Sequence, residues 1–246
     1  MRTLGALYAC IAMACGACGS SSPAGGDPPG DDDDVPPADA APQPVKRARF
    51  IAVGDAGKGN TTQRDVAVAM RDVCAAKGCD FVLMLGDNIY DAGVDSVTDP
   101  QRQTKFEEPY HDIDLPFYVA LGNHHNGGNL IIDAPGIGNE FDKGKLEVDY
   151  TQVSTKWTMP ATHYTFSFAH VGIVVLDTNA LLWENTTYGN QTQWLPQAMM
   201  EVEGKDWVFL AGHHPYRSNG THGNAGSYDA PELAGPYTAA FAGCWW

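Results

Sequence analysis

Short apolar runs separated by polar segments organise the chain from residue 49 onward. The runs are RFIAVGD (49–55), FVLMLGD (81–87), PFYVALGN (116–123), HYTFSFAH (163–170), GIVVLDT (172–178) and WVFLAGH (207–213). Near-continuous Val, Ile, Leu and Phe suits strands covered on both faces. Between the first two runs, residues 61–78 carry Val66, Met70 and Val73 at helical spacing and close near Gly78, which predicts a helix. Residues 191–203 read as another helix in spite of Pro196. The stretch 163–178 breaks at His170-Val171-Gly172 and predicts a hairpin. This alternation predicts an α/β domain with a mixed sheet or a pair of sheets, joined by long strand-to-helix loops.

The front of the chain is different material. Residues 1–18, MRTLGALYACIAMACGAC, have the form of an export signal: Arg2, a short apolar stretch from Leu4 to Ala14, then small residues around Cys15 and Cys18. A small residue before Cys, followed by Gly and a Ser run, resembles a bacterial lipoprotein cleavage site. Cys18 is the first choice for lipidation, Cys15 the second, and an ordinary signal peptide the alternative. The expected location is therefore the bacterial cell envelope, as a lipid-tethered, periplasmic or extracellular protein. Residues 19–45 are dominated by Gly, Ser, Pro and Asp, and cannot bury enough surface to offset their ordering entropy. They read as a solvated linker, and the acid run Asp31 to Asp34 as solvated charge. Residues 46–246 form the folded domain.

With 246 residues, 43% of them hydrophobic, the chain can build a sizeable core. After the leader no apolar run approaches the ~20 residues of a membrane-spanning helix, which excludes a multi-span protein. The net charge of -15 leaves no basic footprint for wrapping nucleic acid.

The chemistry lies at the ends of the apolar runs. In open α/β sheets ligands bind where loops leave the carboxyl ends of strands. Here those ends read Gly54-Asp55, Gly86-Asp87-Asn88-Ile89-Tyr90, Gly122-Asn123-His124-His125 and Gly212-His213-His214-Pro215, with Asp177 after a further run. A carboxylate can bridge two cations ~3.5–4 Å apart, and Asp87 is the candidate bridge. Asp55 and Tyr90 would complete one site. A phenolate is a hard oxygen ligand and favours Fe(III). Asn123 and His213 are neutral donors suited to a divalent ion. Two aspartates and a tyrosinate leave such a pair of ions net positive, which attracts a phosphate ester. His124 is placed to donate a proton to the leaving oxygen or to hold the phosphoryl group. Asp177 is left out of the metal set, and His163 and His170 read as surface or packing residues. Cys74 and Cys79 are spaced for a local disulfide, with Cys244 left over.

The set GDAG, GDNIY, GNH and AGHHP, in this order, resembles the metallophosphoesterase superfamily. The Tyr of GDNIY makes the chain similar to purple acid phosphatases, most closely the small tartrate-resistant type. WTMP (157–160), LDT (176–178) and His222-Gly223 fit the same group, and the resemblance spans roughly residues 48 to 230. It implies a sandwich of two mixed sheets flanked by helices. It also implies a binuclear centre, Fe(III) with divalent Fe, Zn or Mn, hydrolysing phosphomonoesters by attack of a metal-activated hydroxide. Position by position, Asp55, Asp87 and Tyr90 match the ferric ligands, and Asp87, Asn123 and His213 the divalent ones. His124 and His222 match the histidines near the phosphate.

Two features depart from the pattern. GNHD or GNHE is GNHH here, with His125 replacing an acid that is not a direct ligand. The later Gly-His-x-His, which supplies one His to each ion, is absent before Trp246. The resulting expectations are a C-terminally incomplete sandwich with an unpaired sheet edge and weak metal retention. The competing functions are a catalytically impaired fragment, or a phosphodiesterase or nucleotidase on the same scaffold.

Overall fold

The computed structural model describes residues 12–14, 47–128 and 136–215. Its strands are β1 (Ala12–Ala14), β2 (Phe50–Val53), β3 (Phe81–Leu85), β4 (Phe117–Ala120), β5 (Trp157–Thr158), β6 (Tyr164–Phe168), β7 (Val171–Val175) and β8 (Trp207–Ala211). Its α-helices are α1 (Thr61–Lys77), α2 (Lys143–Tyr150), α3 (Thr178–Leu182) and α4 (Gln191–Glu201), with a π-helical turn at Gln103–Glu107 and a 3-10 turn at Asn123–Asn126. All six apolar runs are strands, and both predicted helices form.

The strands make two four-stranded sheets, ordered β2-β3-β4-β5 and β1-β8-β7-β6. The first is parallel throughout its described strands. The second is mixed: β7 runs parallel to β8, while β6 and β1 are antiparallel neighbours. The pair of sheets is the one the family resemblance implied. Central position explains the apolar runs, since every residue of β3 and of β7 is buried.

Aromatic rings close the two sheets face to face. Tyr118 of β4 stacks on Phe166 of β6 at 3.7 Å, and Phe81 of β3 meets Phe166 edge-on at 5.5 Å. Phe50 of β2 meets Phe209 of β8 at 5.7 Å. On the outer face of the parallel sheet, Phe106 of the π-helical turn packs edge-on against Phe117 and Trp157. On the outer face of the mixed sheet, Val174, Leu176 and Leu210 form a separate core with Leu195, Ala198 and Val202. These layers, helices outside two packed sheets, are the expected α/β sandwich.

Helix α1 begins where the Asn60 side chain accepts the Gln63 N–H at 3.0 Å, and stops at Gly78 with φ 76°. Its buried stripe is Gln63, Ala67 and Met70, while Val73 lies at the margin of that stripe and is exposed. The expected Val66-Met70-Val73 face is thus rotated. Across the helix end, Cys74 of the last turn and Cys79 are joined in the disulfide that their spacing allowed.

At one edge of the mixed sheet β8 pairs with Ala12–Ala14, Met13 lying opposite Phe209. Three residues of the segment read as a leader thereby supply a partner strand for β8, which among the described residues has no other neighbour on that side. The remaining leader residues, the linker 19–45, His222 and Cys244 lie outside the described residues. Among the described residues no helix is long and apolar enough to cross a membrane.

Candidate metal centre

The ends of β2, β3, β4 and β8 lie at one end of the sandwich, where their loops are tied across strands. Asp55 N–H donates to Gly86 O at 3.0 Å, Gly57 N–H to Asp87 O at 3.1 Å and Tyr90 N–H to Gly57 O at 2.9 Å. Asp55 and Asp87 both sit in the left-handed region, with φ 57° and 50°. Aspartate is among the few non-glycine residues that tolerate it.

Two glycines let these turns approach closely. A Cβ on Gly86, which has φ 93°, would fall 2.7 Å from the His213 ring. A Cβ on Gly122 would fall 2.2 Å from Asp87 Oδ1. The Gly-before-ligand pattern is therefore a packing requirement between neighbouring turns as well as a local one.

The structure brings together Asp55, Asp87 and His213, whose ligand atoms all lie within 4.8 Å of one another. His213 Nε2 is 3.2 Å from Asp87 Oδ2 and 3.1 Å from Asn123 Oδ1. Tyr90 OH donates to Asp55 Oδ1 at 2.8 Å. Asp87 Oδ1 accepts the His124 N–H at 3.0 Å, so its other oxygen is the one turned to His213. The predicted ligands Asp55, Asp87, Tyr90, Asn123 and His213 thus form one connected cluster, while His222 falls outside the described residues.

The donor set fits cations. His213 Nδ1 is 3.0 Å from the Leu85 carbonyl, an acceptor only, so Nδ1 carries a proton. In neutral imidazole Nε2 then presents a lone pair to two oxygens, an arrangement that positive charge relieves. A proton on Nε2 or a metal ion between the donors would supply that charge. Burial by itself disfavours ionised Asp87, but the hydrogen bond and charge of His213 outweigh it and hold the carboxyl well below its usual range. Burial likewise opposes charge on His213, yet Asp87 raises its pKa. Burial, then Asp87 and Asp55, push the Tyr90 phenol far up, so it stays protonated unless a cation displaces the proton.

His124 stands at the rim, half-buried, its ring 4.5 Å from that of Tyr90. Its Nδ1 contacts the Asp91 carbonyl, which makes Nδ1 the donor and leaves Nε2 available, 3.9 Å from Asp87 Oδ2. Three lysines fasten the segment that carries Tyr90. Lys105 bonds Tyr90 O, Lys58 pairs with Asp91, and Lys143 reaches Ala92 O and Asp95, each at 2.9 Å.

His125, which stands where the resembled motif has an acid, holds the site's turns together. It is completely buried, and its Nδ1 accepts the Gly122 N–H at 3.0 Å while its Nε2 faces the Asn88 N–H at 3.3 Å. It therefore spans the two turns that carry Asp87 and Asn123. Burial lowers its pKa, and a neutral ring has one lone-pair nitrogen, assigned to the shorter contact with Gly122. Asp177, excluded from the metal set, is buried and caps α3 by accepting the Ala180 N–H at 3.0 Å. His163 packs edge-on against Trp194 at 4.7 Å, the structural role expected of it.

Comparison with known proteins accords with this geometry. The family profile described as calcineurin-like phosphoesterase matches residues 48–241. Tartrate-resistant acid phosphatase type 5 of Oryctolagus cuniculus is 32% identical over 204 residues, covering 71% of this chain and 58% of the relative. The Homo sapiens protein of that name is 30% identical over 204 residues, with 71% and 58% covered. The chain thus spans little more than half the length of these relatives. Among solved structures, GAP50, the anchor in the inner membrane complex of Plasmodium, superposes with TM-score 0.57 at 21% identity, covering 78% of this chain and 62% of that one. That likeness is one of fold. With its profile match over residues 48–241, most of the length, the chain belongs to the calcineurin-like phosphoesterase family.

Proposed function

We propose that the chain hydrolyses phosphomonoesters at a two-metal centre of the purple acid phosphatase kind. The carrying observation is the convergence of Asp55, Asp87, Asn123 and His213 from four strand ends, with Tyr90 on Asp55. Asp55, Asp87 and Tyr90 would hold Fe(III), and Asp87, Asn123 and His213 a divalent Fe, Zn or Mn. When bound, such ions neutralise phosphate charge and lower the pKa of water so that it can attack phosphorus. The protein's own part is to aim the donors and to manage a proton. His124, fixed through Nδ1 on Asp91 O, presents Nε2 to the site, where it can protonate the leaving oxygen. His222 is proposed as a second phosphate-side histidine. The acid phosphatase names of the relatives support this reading. The leader and linker support a further proposal, export to the cell envelope with a tether at Cys18.

The test is elemental analysis of the purified protein beside turnover of p-nitrophenyl phosphate and its bis-ester at mildly acidic pH. Expected are weakly retained metal, iron included, and preference for the monoester. Asp87→Ala should lose metal and activity together. Unchanged metal content in that variant, or a preference for the diester, would overturn the assignment.

A further inference from the structure

Behind His213 lies Thr178, the first residue of α3, fully buried. Its hydroxyl oxygen is 3.2 Å from the His213 amide nitrogen, 3.0 Å from that of His214 and 2.8 Å from His214 Nδ1. A hydroxyl has two lone pairs and one proton. The two amides take the lone pairs, so the O–H donates to His214 Nδ1, and every bonding capacity of the group is used. Thr178 is itself anchored from behind. Asp177 N–H donates to Gln191 Oε1 at 3.0 Å, and Gln191 Nε2 donates to Asp177 O at 2.9 Å, which fastens α3 to the first residue of α4.

We propose that Thr178 is a positioning residue for the metal centre, its hydroxyl setting the height of the His213-His214 backbone and hence the aim of His213 Nε2. The inference rests on the metal-centre reading above. His213 is held at two points: its ring on Leu85 O and its backbone on Thr178. Removing the second leaves the His213 and His214 N–H groups and His214 Nδ1 without Thr178, and the turn relaxes away from Asp87 and Asn123. Partners one step behind a ligand typically change metal affinity by about 10–100-fold.

The experiment is titration of the full chain with Mn²⁺ alone, followed by calorimetry. Thr178→Val keeps the shape without the hydroxyl, and Thr178→Ser keeps the hydroxyl. Val should weaken affinity by about 10–100-fold, whereas Ser should stay within about threefold of the parent. Ala198→Gly, in the separate α4 core, serves as the control for lost stability: it should lower the melting temperature and leave affinity unchanged. Should the Val variant not fold, Thr178→Cys takes its place, with the same loss expected and Ser again holding. Parent-like affinity in the Val or Cys variant, while His213→Ala loses binding, would overturn the positioning role alone. Parent-like affinity in His213→Ala as well would overturn the metal-centre reading and this inference with it.

Discussion

Gly122→Ala tests whether close approach between turns builds the site. Gly122 has φ −120° and ψ 177°, which any residue adopts, so the substitution adds no backbone strain. Its effect is steric. The new Cβ would sit 2.2 Å from Asp87 Oδ1, 2.5 Å from the Asp87 amide nitrogen and 2.9 Å from Cγ. Rotating the carboxylate clears its oxygen but not the amide. Restoring ordinary contact requires the two turns to separate by about 1 Å, which stretches the His124 N–H bond to Asp87. Overpacking of this kind costs about 1–3 kcal/mol of stability. A displacement of that size at a reacting centre costs about 100-fold in rate, or about 2.7 kcal/mol. The assay pairs thermal melting with metal stoichiometry and kcat/KM on a monoester. Gly204→Ala is the control: nothing lies within 4 Å of its Cβ, yet φ is 79°, so it strains the backbone far from any ligand. Gly122→Ala should lose both metal and rate, and Gly204→Ala stability alone. A folded Gly122→Ala protein with parent-like metal content and kcat/KM would refute the reasoning.

Burial raises the Asp177 carboxyl to about 6, so folding favours its protonated form. That contribution is complete below the ordinary value of 3.8 and is lost as pH rises through about 6, where ionisation costs about 3 kcal/mol. Asp177→Asn, which keeps a side-chain acceptor for Ala180, should therefore stabilise the fold at pH 7.5 and change little near pH 3.5; equal shifts at both would contradict this. The buried pair Arg102–Glu147 at 2.9 Å, with the Tyr150 ring 4.1 Å from the guanidinium, fastens the start of the π-helical turn to α2. Arg102→Met should cost about 3–5 kcal/mol in urea denaturation, and adding Glu147→Leu should recover much of it; a single-variant loss under about 1 kcal/mol would argue against an uncompensated buried charge. The Cys74–Cys79 bridge closes a loop of only a few residues, so its reduction should cost no more than about 2 kcal/mol. A larger loss in thermal melts under reductant would mean that the bridge supports more than its own loop.

The elements legible in the chain were those whose burial is two-sided. β3 and β7 read as unbroken apolar runs because sheet packing covers both their faces, and the Gly-Asp, Gly-Asn and Gly-His ends announced where loops turn. Short or weakly patterned elements stayed hidden. The two-residue β5 and the helix α2, whose buried face includes the charged Glu147, carry no apolar stripe of their own. Helix α1 was recognised, but its rotation was not, since Val66, Ala67 and Val73 offer competing faces until a sheet is present to choose between them.

The identities of Asp55, Asp87, Tyr90, Asn123 and His213 were determined by the sequence, because donor chemistry belongs to residue type and strand ends are marked by local pattern. Their convergence was decided by the tertiary structure, since Asp87 and His213 lie far apart in the chain and meet only when two sheets stack with their carboxyl edges together. The same holds for His125 and Thr178. Nothing local distinguishes a histidine that spans two turns, or a threonine that fastens the His213 backbone, from ordinary core residues. Most of their partners are backbone groups of neighbouring turns, and backbone groups leave no trace in a sequence.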